Sequence, residues 1–161
     1  MESIALRPVC EEDTELLYAI YAGTRSEEVA QSGWTPEQQA EFLRMQFQAQ
    51  DAHYRKHYPG AAFQVVLQSG VPAGRLYVAR WAQEIRIMDI ALLPEYRGRG
   101  IGTKLLGDLI EEAAAAGKSL TIHVERFNRA LSLYERLGFR PVEDKGVYYL
   151  LSRDPGAAGC A

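Results

Sequence analysis

The spacing of hydrophobic positions changes several times along the chain, and these changes predict both helices and strands. Apolar residues three to four apart predict a helix over Asp13–Ala22, capped by Asp13. A longer predicted helix begins at Thr35-Pro36, where threonine is a suitable N-cap and proline a suitable first residue, and it ends near His57. The polar segment Gly23–Trp34 between them is predicted to be a loop.

Short apolar segments predict seven strands, with Ser69-Gly70 as a tight turn between the second and the third. The predicted strands are Ser3–Leu6, Phe63–Leu67, Leu76–Val78, the segment IRIMDIALLP (85–94), Ser119–Val124, Phe139–Val142 and Val147–Leu151. Helical spacing returns after Gly100, up to Gly117, and after Asn128, up to Gly138. The order of elements predicts a mixed α/β fold with one strand–helix–strand unit over residues 85 to 124.

The predicted strand IRIMDIALLP contains a phase slip. Ile85 and Ile87 are apolar at odd positions, whereas Ile90 and Leu92 are apolar at even positions. A β-bulge shifts the phase of a strand by one residue, and bulges often lie beside functional sites. The alternative is a strand that is buried on both faces, where alternation is lost without a bulge.

The composition is that of an ordinary globular protein, with 47% hydrophobic and 24% charged residues in 161. The length predicts one domain over residues 1–153, followed by a loose tail over 154–161. No apolar run approaches the roughly 18 residues needed to cross a membrane, and the acidic N-terminus is unlike a signal peptide. Cys10 and Cys160 are interpreted as free thiols in a reducing cytoplasm, with a disulfide bridge as the alternative.

Charge is distributed unevenly along the chain. The net charge is −3, which argues against a nucleic-acid partner. Residues 1–60 carry ten acidic and five basic residues, and residues 61–161 carry eleven and thirteen. This asymmetry fits a protein that binds a cation with its first part and an anion with its second, although a merely solvated surface is the alternative.

The segment RGRGIG (97–102) lies between a predicted strand and a predicted helix. A helix start leaves backbone N–H groups without partners and favours negative charge, so glycines and arginines there predict a phosphate site. The dinucleotide fingerprint fits only in part, because the glycine spacing differs and the predicted strand over residues 119–124 contains no acidic residue. The triphosphate loop does not fit, because Lys104 follows Thr103 instead of a glycine.

The same segment matches the R/Q-x-x-G-x-G/A signature of the GNAT acetyltransferase superfamily, and the chain resembles a bacterial-type member. The downstream segment NRALSLYERLGF (128–139) is similar to a second motif of that family. The resemblance is close from about Ile85 to Tyr149, and it implies a mixed central sheet of about six to seven strands with about four helices. It also implies an enzyme that uses acetyl-coenzyme A as co-substrate, without a metal.

The resemblance assigns cofactor-binding and catalytic roles to particular residues. The backbone of the helix entrance would hold the pyrophosphate, with two arginines in support, and the pantetheine arm would pair with the main chain of the strand end and with an asparagine. These cofactor-binding residues are Ile90, Ala91, Leu92, Arg97, Gly98, Arg99, Gly100, Ile101, Gly102, Thr103 and Asn128. Asn128 is equally well explained as a helix N-cap.

The family's general acid corresponds to Tyr134, whose alternative role is that of a core tyrosine on an apolar stripe. A phenol can pass a proton to a leaving thiolate. Where some members carry a glutamate as base, this chain has His123, a residue suited to proton removal near neutral pH, with a purely structural histidine as the alternative. Asp89 at the suspected bulge is the second candidate base, and a chain of water molecules is the third.

In this family the acceptor is bound mainly by the first two helices, their loop and the final strands. Candidate acceptor-binding residues here are Arg25, Glu28 and Tyr54, with core packing as the alternative for the aromatic residue. The main expectation is direct acetyl transfer to a primary amine of a small molecule. The alternatives are transfer to a protein or peptide amine and a non-catalytic acyl-coenzyme A sensor. Neither nucleic acid nor membrane is an expected partner, and a homodimer is left open.

Overall fold

The computed structural model describes residues 3–157, which form seven strands and four α-helices. The strands are β1 (Ile4–Pro8), β2 (Ala62–Gln68), β3 (Val71–Arg80), β4 (Glu84–Leu92), β5 (Ser119–Glu125), β6 (Arg140–Asp144) and β7 (Tyr148–Arg153). The helices are α1 (Thr14–Ala30), α2 (Pro36–His57), α3 (Ile101–Ala116) and α4 (Leu131–Arg136). Short 3-10 turns over Glu11–Asp13 and Pro94–Tyr96 precede α1 and follow β4.

The strands form a mixed sheet in the order β1-β2-β3-β4-β5-β7-β6. β4 and β5 are parallel, and α3 connects them, which confirms the predicted strand–helix–strand unit. β1 pairs with β2 and β7 pairs with both β5 and β6 in antiparallel register. The α/β fold and the predicted numbers of strands and helices are confirmed.

Contacts within the chain divide it into two compact units. Unit 1 contains the residues up to Tyr77 together with Asp89–Ile101, and unit 2 contains Val78–Met88 together with the residues from Gly102 onward. The assignment of residues 1–153 to a single domain stays a prediction. The tail predicted over 154–161 lies partly, and Cys160 lies wholly, outside the described residues. Cys10 is exposed and forms no disulfide with any residue between 3 and 157.

In unit 1, α1 is longer than the sequence predicts. The expected end at Ala22 is wrong, because the helix continues to Ala30, and of the loop expected over Gly23–Trp34 only residues 31–34 are outside the helix. The added turns bury Val29, whose exposed fraction is 6%. Tertiary packing therefore extends the helix through Gly23, which is a weak helix former on its own.

Asp13 precedes α1, as expected, but its carboxylate does not cap the helix. Both carboxylate oxygens instead accept hydrogen bonds from the Arg7 guanidinium at 2.8 Å, and one also accepts from the Cys10 N–H at 2.9 Å. The hydrogen bonds from Arg7 hold the pKa of Asp13 well below its usual range. The Asp13 side chain, which the sequence predicts as a cap of α1, thus joins β1 to the start of α1.

The predicted start of α2 is confirmed in detail. The Thr35 hydroxyl accepts a hydrogen bond from the Gln38 N–H at 3.2 Å, and the Gln38 side chain accepts one from the Thr35 N–H at 3.0 Å. This reciprocal capping box, followed by Pro36, fixes the first turn. Leu43 and Phe47 then lie buried on one face of the helix, and Phe47 packs against aromatic rings of α1.

In unit 2, α3 buries the apolar stripe that its sequence predicts. Leu105, Leu109 and Ala113 are each less than 5% exposed, and Gly117 ends the helix with a positive φ of 67°. β6 lies at one edge of the sheet, and all five of its residues are exposed. No helix between residues 3 and 157 combines the length and the apolar character needed to cross a bilayer.

Candidate active site

The pairing of β3 with β4 contains one extra residue on β4. The Trp81 N–H donates to the Glu84 carbonyl and the Leu93 N–H donates to the Ala73 carbonyl, both at 2.8 Å. Between these hydrogen bonds the chain advances eight positions on the β3 side, from 73 to 81, and nine positions on the β4 side, from 84 to 93. One additional residue on one strand is the irregularity that a β-bulge introduces, in agreement with the phase slip in the sequence.

Gly74 lies where β3 approaches the end of β4 closely. A Cβ atom at this position would be 2.2 Å from the Ala91 carbonyl oxygen and 2.9 Å from the Leu92 Cα. Any side chain would therefore force the backbones apart. Glycine at position 74 allows the main chain of Ala91 and Leu92, the segment expected to pair with the pantetheine arm, to take its observed path.

The glycine-rich turn after β4 has free space at the positions that side chains of its glycines would occupy. Gly98 and Gly100 have positive φ angles of 74° and 82°, which strongly favour glycine. No atom lies within 4 Å of a Cβ built at Gly98, Gly100 or Gly102. α3 has no acidic residue in its first turn, so its first N–H groups can receive an anion without repulsion. These features fit the pyrophosphate of acetyl-coenzyme A.

The two arginines of the turn contact protein groups of unit 1. The Arg97 guanidinium donates to the Leu92 carbonyl at 3.2 Å and to the Gly23 carbonyl at 3.1 Å. The Arg99 guanidinium donates to the Gln68 side chain at 3.3 Å and lies over the Tyr96 ring, 5.1 Å from its centroid. Both arginines therefore have protein partners, and the supporting role toward the pyrophosphate that the resemblance implies for them stays a prediction.

Asp89 on β4 belongs to a buried polar network in unit 1. Its carboxylate accepts two hydrogen bonds from Arg75, at 2.8 and 3.2 Å, and one from the Tyr54 hydroxyl at 3.0 Å. Arg75 also donates to the Gln50 side chain at 2.8 Å, and its side chain is only 3% exposed. Because the carboxylate neutralises a buried arginine, Asp89 is less available as a base than its position in the sequence predicts.

The same network surrounds Tyr54, a predicted acceptor-binding residue. Burial and the neighbouring Asp89 carboxylate raise the pKa of Tyr54, so its phenol stays protonated and donates to Asp89. The ring packs edge-on against the buried Tyr77, with centroids 5.8 Å apart. Two predicted site residues, Tyr54 and Asp89, are thus brought into direct contact.

The other predicted acceptor residues form a pair on α1. Arg25 and Glu28 are an i,i+3 ion pair with a 3.6 Å separation, and Arg25 also lies 5.9 Å from the Tyr21 ring centroid. The Glu28 side chain is 66% exposed, so it retains access to solvent. The roles of Arg25, Glu28 and Tyr54 in acceptor binding stay predictions.

In unit 2, His123 lies half-buried on β5, opposite Leu150 of β7. Burial and the positive charges of Arg86 and Lys145 lower the pKa of His123. A lowered pKa keeps the imidazole neutral at neutral pH, which is the form that can accept a proton. Its role as general base stays a prediction with this physical support.

Asn128 lies three residues before the start of α4, and Tyr134 lies within this helix. The Asn128 side-chain oxygen accepts a hydrogen bond from the Ala130 N–H at 2.7 Å, which is the contact of an Asx turn just before α4. Tyr134 is 6% exposed, and its ring packs edge-on against Phe139, with centroids 5.6 Å apart. Tyr134 is thus a buried tyrosine, as its structural alternative requires, whereas Ala130 and not Asn128 is the N-cap of α4. The roles of Asn128 and Tyr134 toward a cofactor stay predictions.

Sequence reasoning missed several residues that shape the site in unit 1. The most informative are Arg75, Gln50, Gly74 and Gly23. One signal was available: an arginine beside the apolar run LYVA in a predicted strand needs a buried acidic partner. The glycines gave no such signal, because their neighbours are distant in sequence. Within residues 3–157, no group of three or more His, Cys, Asp or Glu side chains is placed to hold a metal ion.

Comparison with known proteins agrees with this geometry. A family model described as "Acetyltransferase (GNAT) family" matches residues 19–139, which is more than half of the chain. The chain belongs to the GNAT acetyltransferase family. The match covers the bulged strand, the glycine-rich turn and the segment of Asn128 and Tyr134.

Two relatives are similar in sequence to part of this GNAT chain. A ribosomal protein bS18-alanine N-acetyltransferase from Haemophilus influenzae is 40% identical over 67 residues, which are 41% of this chain and 46% of that protein. The N-alpha-acetyltransferase RimI from Mycobacterium tuberculosis is 30% identical over 110 residues, which are 66% of each protein. The chain thus spans about half to two thirds of the length of these relatives.

Solved GNAT structures share the fold over nearly the whole chain. The PaiA N-acetyltransferase from Thermoplasma acidophilum, solved in complex with coenzyme A, has a TM-score of 0.70 at 19% identity, covering 94% of this chain and 99% of that one. The ribosomal-protein-S18-alanine N-acetyltransferase from Escherichia coli has a TM-score of 0.62 at 20% identity, covering 98% and 97%. At these identities the likeness establishes the fold.

Proposed function

We propose that this GNAT protein transfers an acetyl group from acetyl-coenzyme A directly to the α-amine of a protein or peptide chain. The observation that carries the acetyl-coenzyme A part is the open glycine-rich turn, where positive φ angles at Gly98 and Gly100 leave the start of α3 accessible to a phosphate. The acceptor part is supported by two relatives, one named for the alanine of a ribosomal protein and one for an N-alpha amine.

In this proposal, the backbone from Gly98 to Thr103 binds the pyrophosphate, and the main chain of Ile90 to Leu92 pairs with the pantetheine arm. Gly74 and the extra residue on β4 support that role, because they set the path of the strand end. Acetyl-coenzyme A supplies the acetyl thioester, and Asn128 is assigned a hydrogen bond to the arm from the resemblance.

The chain supplies two proton-transfer groups in unit 2. His123, kept neutral by its lowered pKa, accepts a proton from the ammonium form of the acceptor, which must be neutral to attack. Tyr134 donates its phenolic proton to the sulfur that leaves as the new C–N bond forms and the C–S bond breaks. Asp89 is a weaker candidate base, because it already accepts three hydrogen bonds from Arg75 and Tyr54.

A small-molecule amine is the second candidate acceptor, favoured by the acidic balance of residues 1–60. The two acceptors can be separated with the untagged protein, acetyl-coenzyme A and a panel of polyamines, amino acids and short peptides, by following thiol release and product mass. Each peptide is tested with a free α-amine, with a blocked α-amine, and with a blocked α-amine plus a lysine.

Transfer only to free α-amines of peptides supports the proposal. Transfer only to polyamines or amino acids replaces it with the small-molecule alternative, and transfer to lysine in blocked peptides excludes α-amine specificity. Calorimetric binding of coenzyme A without thiol release from any member of the panel favours a non-catalytic sensor.

A further inference from the structure

The side chain of Arg97 connects two backbone segments of unit 1. Its Nε donates to the carbonyl of Leu92 at the end of β4, and its Nη2 donates to the carbonyl of Gly23 in the middle of α1. A helical carbonyl oxygen keeps a second lone pair, so Gly23 can accept this hydrogen bond without leaving the helix. We call these two hydrogen bonds the Arg97 clasp.

The close approach at Gly23 explains a glycine inside a helix. A Cβ at position 23 would be 3.3 Å from Pro94 Cδ and 3.8 Å from Arg97 Nη2. A glycine in a helix interior costs about 1 kcal/mol relative to alanine. At this position it allows α1 to pack tightly against the turn that follows β4.

We propose that Arg97 is a positioning residue, which holds the end of β4 against α1 through the Arg97 clasp. This inference rests on the proposed function. α1 belongs to the region expected to bind the acceptor, and Leu92 belongs to the main chain expected to pair with pantetheine. The clasp therefore fixes the donor and acceptor segments of unit 1 in one geometry, a role different from charge support of the pyrophosphate.

The variant Arg97→Lys distinguishes positioning through the clasp from charge support of the pyrophosphate. Arg97→Lys keeps the positive charge near the turn, but a single ammonium on a flexible stem does not reproduce the planar fork that spans two carbonyls. If Arg97 acts by charge on the pyrophosphate, Arg97→Lys retains most of the activity. If it acts as a clasp, the lysine variant resembles Arg97→Ala.

The first experiment compares two acetyl donors, acetyl-coenzyme A and S-acetyl-pantetheine, which has the same thioester and pantetheine arm without the pyrophosphate. We expect Arg97→Lys to lower kcat/KM roughly tenfold with both donors and by the same factor, as the loss of hydrogen bonds to a charged group would do. Arg55→Lys on the exposed part of α2 is the control for the same substitution elsewhere. A loss with acetyl-coenzyme A that disappears with S-acetyl-pantetheine overturns the proposal in favour of a pyrophosphate contact.

The second experiment needs no activity. In Gly23→Ala the new methyl group would lie 3.3 Å from Pro94 Cδ and 3.8 Å from Arg97 Nη2, and we expect it to weaken the hydrogen bond that Arg97→Lys also weakens. We expect the double variant Gly23→Ala/Arg97→Lys to lower Tm by clearly less than the sum of the shifts in the two single variants, because Gly23 and Arg97 share one interaction. Additive shifts in Tm would contradict the clasp.

The two experiments also distinguish this inference from the proposed function. Failure of the wild-type protein to transfer acetyl groups from either donor refutes the proposed function, and the Tm cycle then still tests the contact between Arg97 and Gly23. Calorimetry with coenzyme A adds a third readout. A clasp that positions Leu92 predicts weaker coenzyme A binding in Arg97→Lys, and unchanged binding with unchanged kcat would refute positioning.

Discussion

Tyr134 is buried in unit 2 and shares an edge-on ring contact with Phe139. That contact belongs to the aromatic ring, whereas the proposed proton donation would use the hydroxyl. The ring contact and the proposed chemical role therefore involve different atoms of this residue.

Removing that oxygen is the first test at the residue scale. We expect Tyr134→Phe to lower kcat roughly 10²- to 10⁴-fold, the range for loss of a general acid, while the Kd for coenzyme A changes little. Tyr18→Phe, which removes a hydroxyl bonded to the Ala40 carbonyl on the surface, is the control. An unchanged kcat would remove Tyr134 from the mechanism.

His123 gives a second residue-scale prediction, on pH. Its pKa is lowered in the folded protein by burial, Arg86 and Lys145, so the unfolded chain binds the proton more readily. The stability that this histidine contributes is present above its ordinary pKa of about 6.5 and is lost as pH falls through the lower folded value. We expect His123→Gln to lose less stability than the wild type between pH 7.5 and pH 5, measured by urea unfolding.

The same substitution tests catalysis. If His123 is the base, the wild-type rate declines on the acid side where its imidazole becomes protonated, and His123→Gln loses both rate and this limb of the profile. His53→Gln on the exposed part of α2 is the matched histidine control. An identical pH–rate profile in His123→Gln would assign the base to another group.

At the scale of elements, the close approach of β3 to the end of β4 depends on Gly74. We expect Gly74→Ala to destabilise the fold by about 1–3 kcal/mol, because the new methyl group would meet the Ala91 carbonyl at 2.2 Å. Coenzyme A binding should weaken as well, since Leu92 moves with Ala91. Chemical unfolding and calorimetry measure the two effects.

The control for this prediction lies in α3. Gly107 has no atom within 4 Å of a built Cβ and no positive φ, so Gly107→Ala should raise stability by up to about 1 kcal/mol. If both alanines had the same effect on the free energy of unfolding, the close approach at position 74 would not be the cause.

The elements that were predicted correctly carry their signals locally. The start of α2 is determined by the neighbouring residues Thr35, Pro36 and Gln38. The turn at Ser69-Gly70 has the two positive φ angles of a tight hairpin. The end of α1 was missed because its cause is not local. Gly23 is a helix breaker by propensity, and only its packing against Pro94 favours a glycine there.

The candidate site was predictable to a similar extent. The glycine-rich turn and Tyr134 belong to contiguous motifs, so a single sequence suffices to find them. Arg75 and Asp89 are fourteen residues apart on different strands, and their pairing with Tyr54 of α2 depends on the fold. The Arg97 clasp joins residues 74 positions apart, so no local pattern could reveal it.

At the scale of the whole molecule, resistance to acid depends on carboxylates whose pKa is lowered by folding. Asp13 is such a group: Arg7 lowers its pKa, so its contribution is present above the ordinary value near 3.9 and is lost as pH falls through the lower folded value. We expect Asp13→Asn to lower stability at pH 7 by roughly 1–2 kcal/mol and to flatten the decline of stability below pH 4. Thermal unfolding from pH 7 to pH 2.5 measures both effects.

Asp108→Asn is the matched control. Asp108 forms an exposed i,i+4 pair with Lys104 at 3.0 Å, an interaction that contributes only a few tenths of a kcal/mol. Equal losses of stability in the two variants would show that the buried position of Asp13 has no special effect.

The two edge strands have a consequence for self-association. β1 contains Pro8 and β6 contains Pro141, and β6 also exposes Arg140, Glu143 and Asp144. A proline removes one N–H from the row of donors that a foreign strand needs, and adjacent charges would have to lose hydration to pair with an apolar strand. Growth of the sheet into a fibril is therefore disfavoured at both edges. The edges of the folded sheet are therefore poor templates for the addition of a further strand.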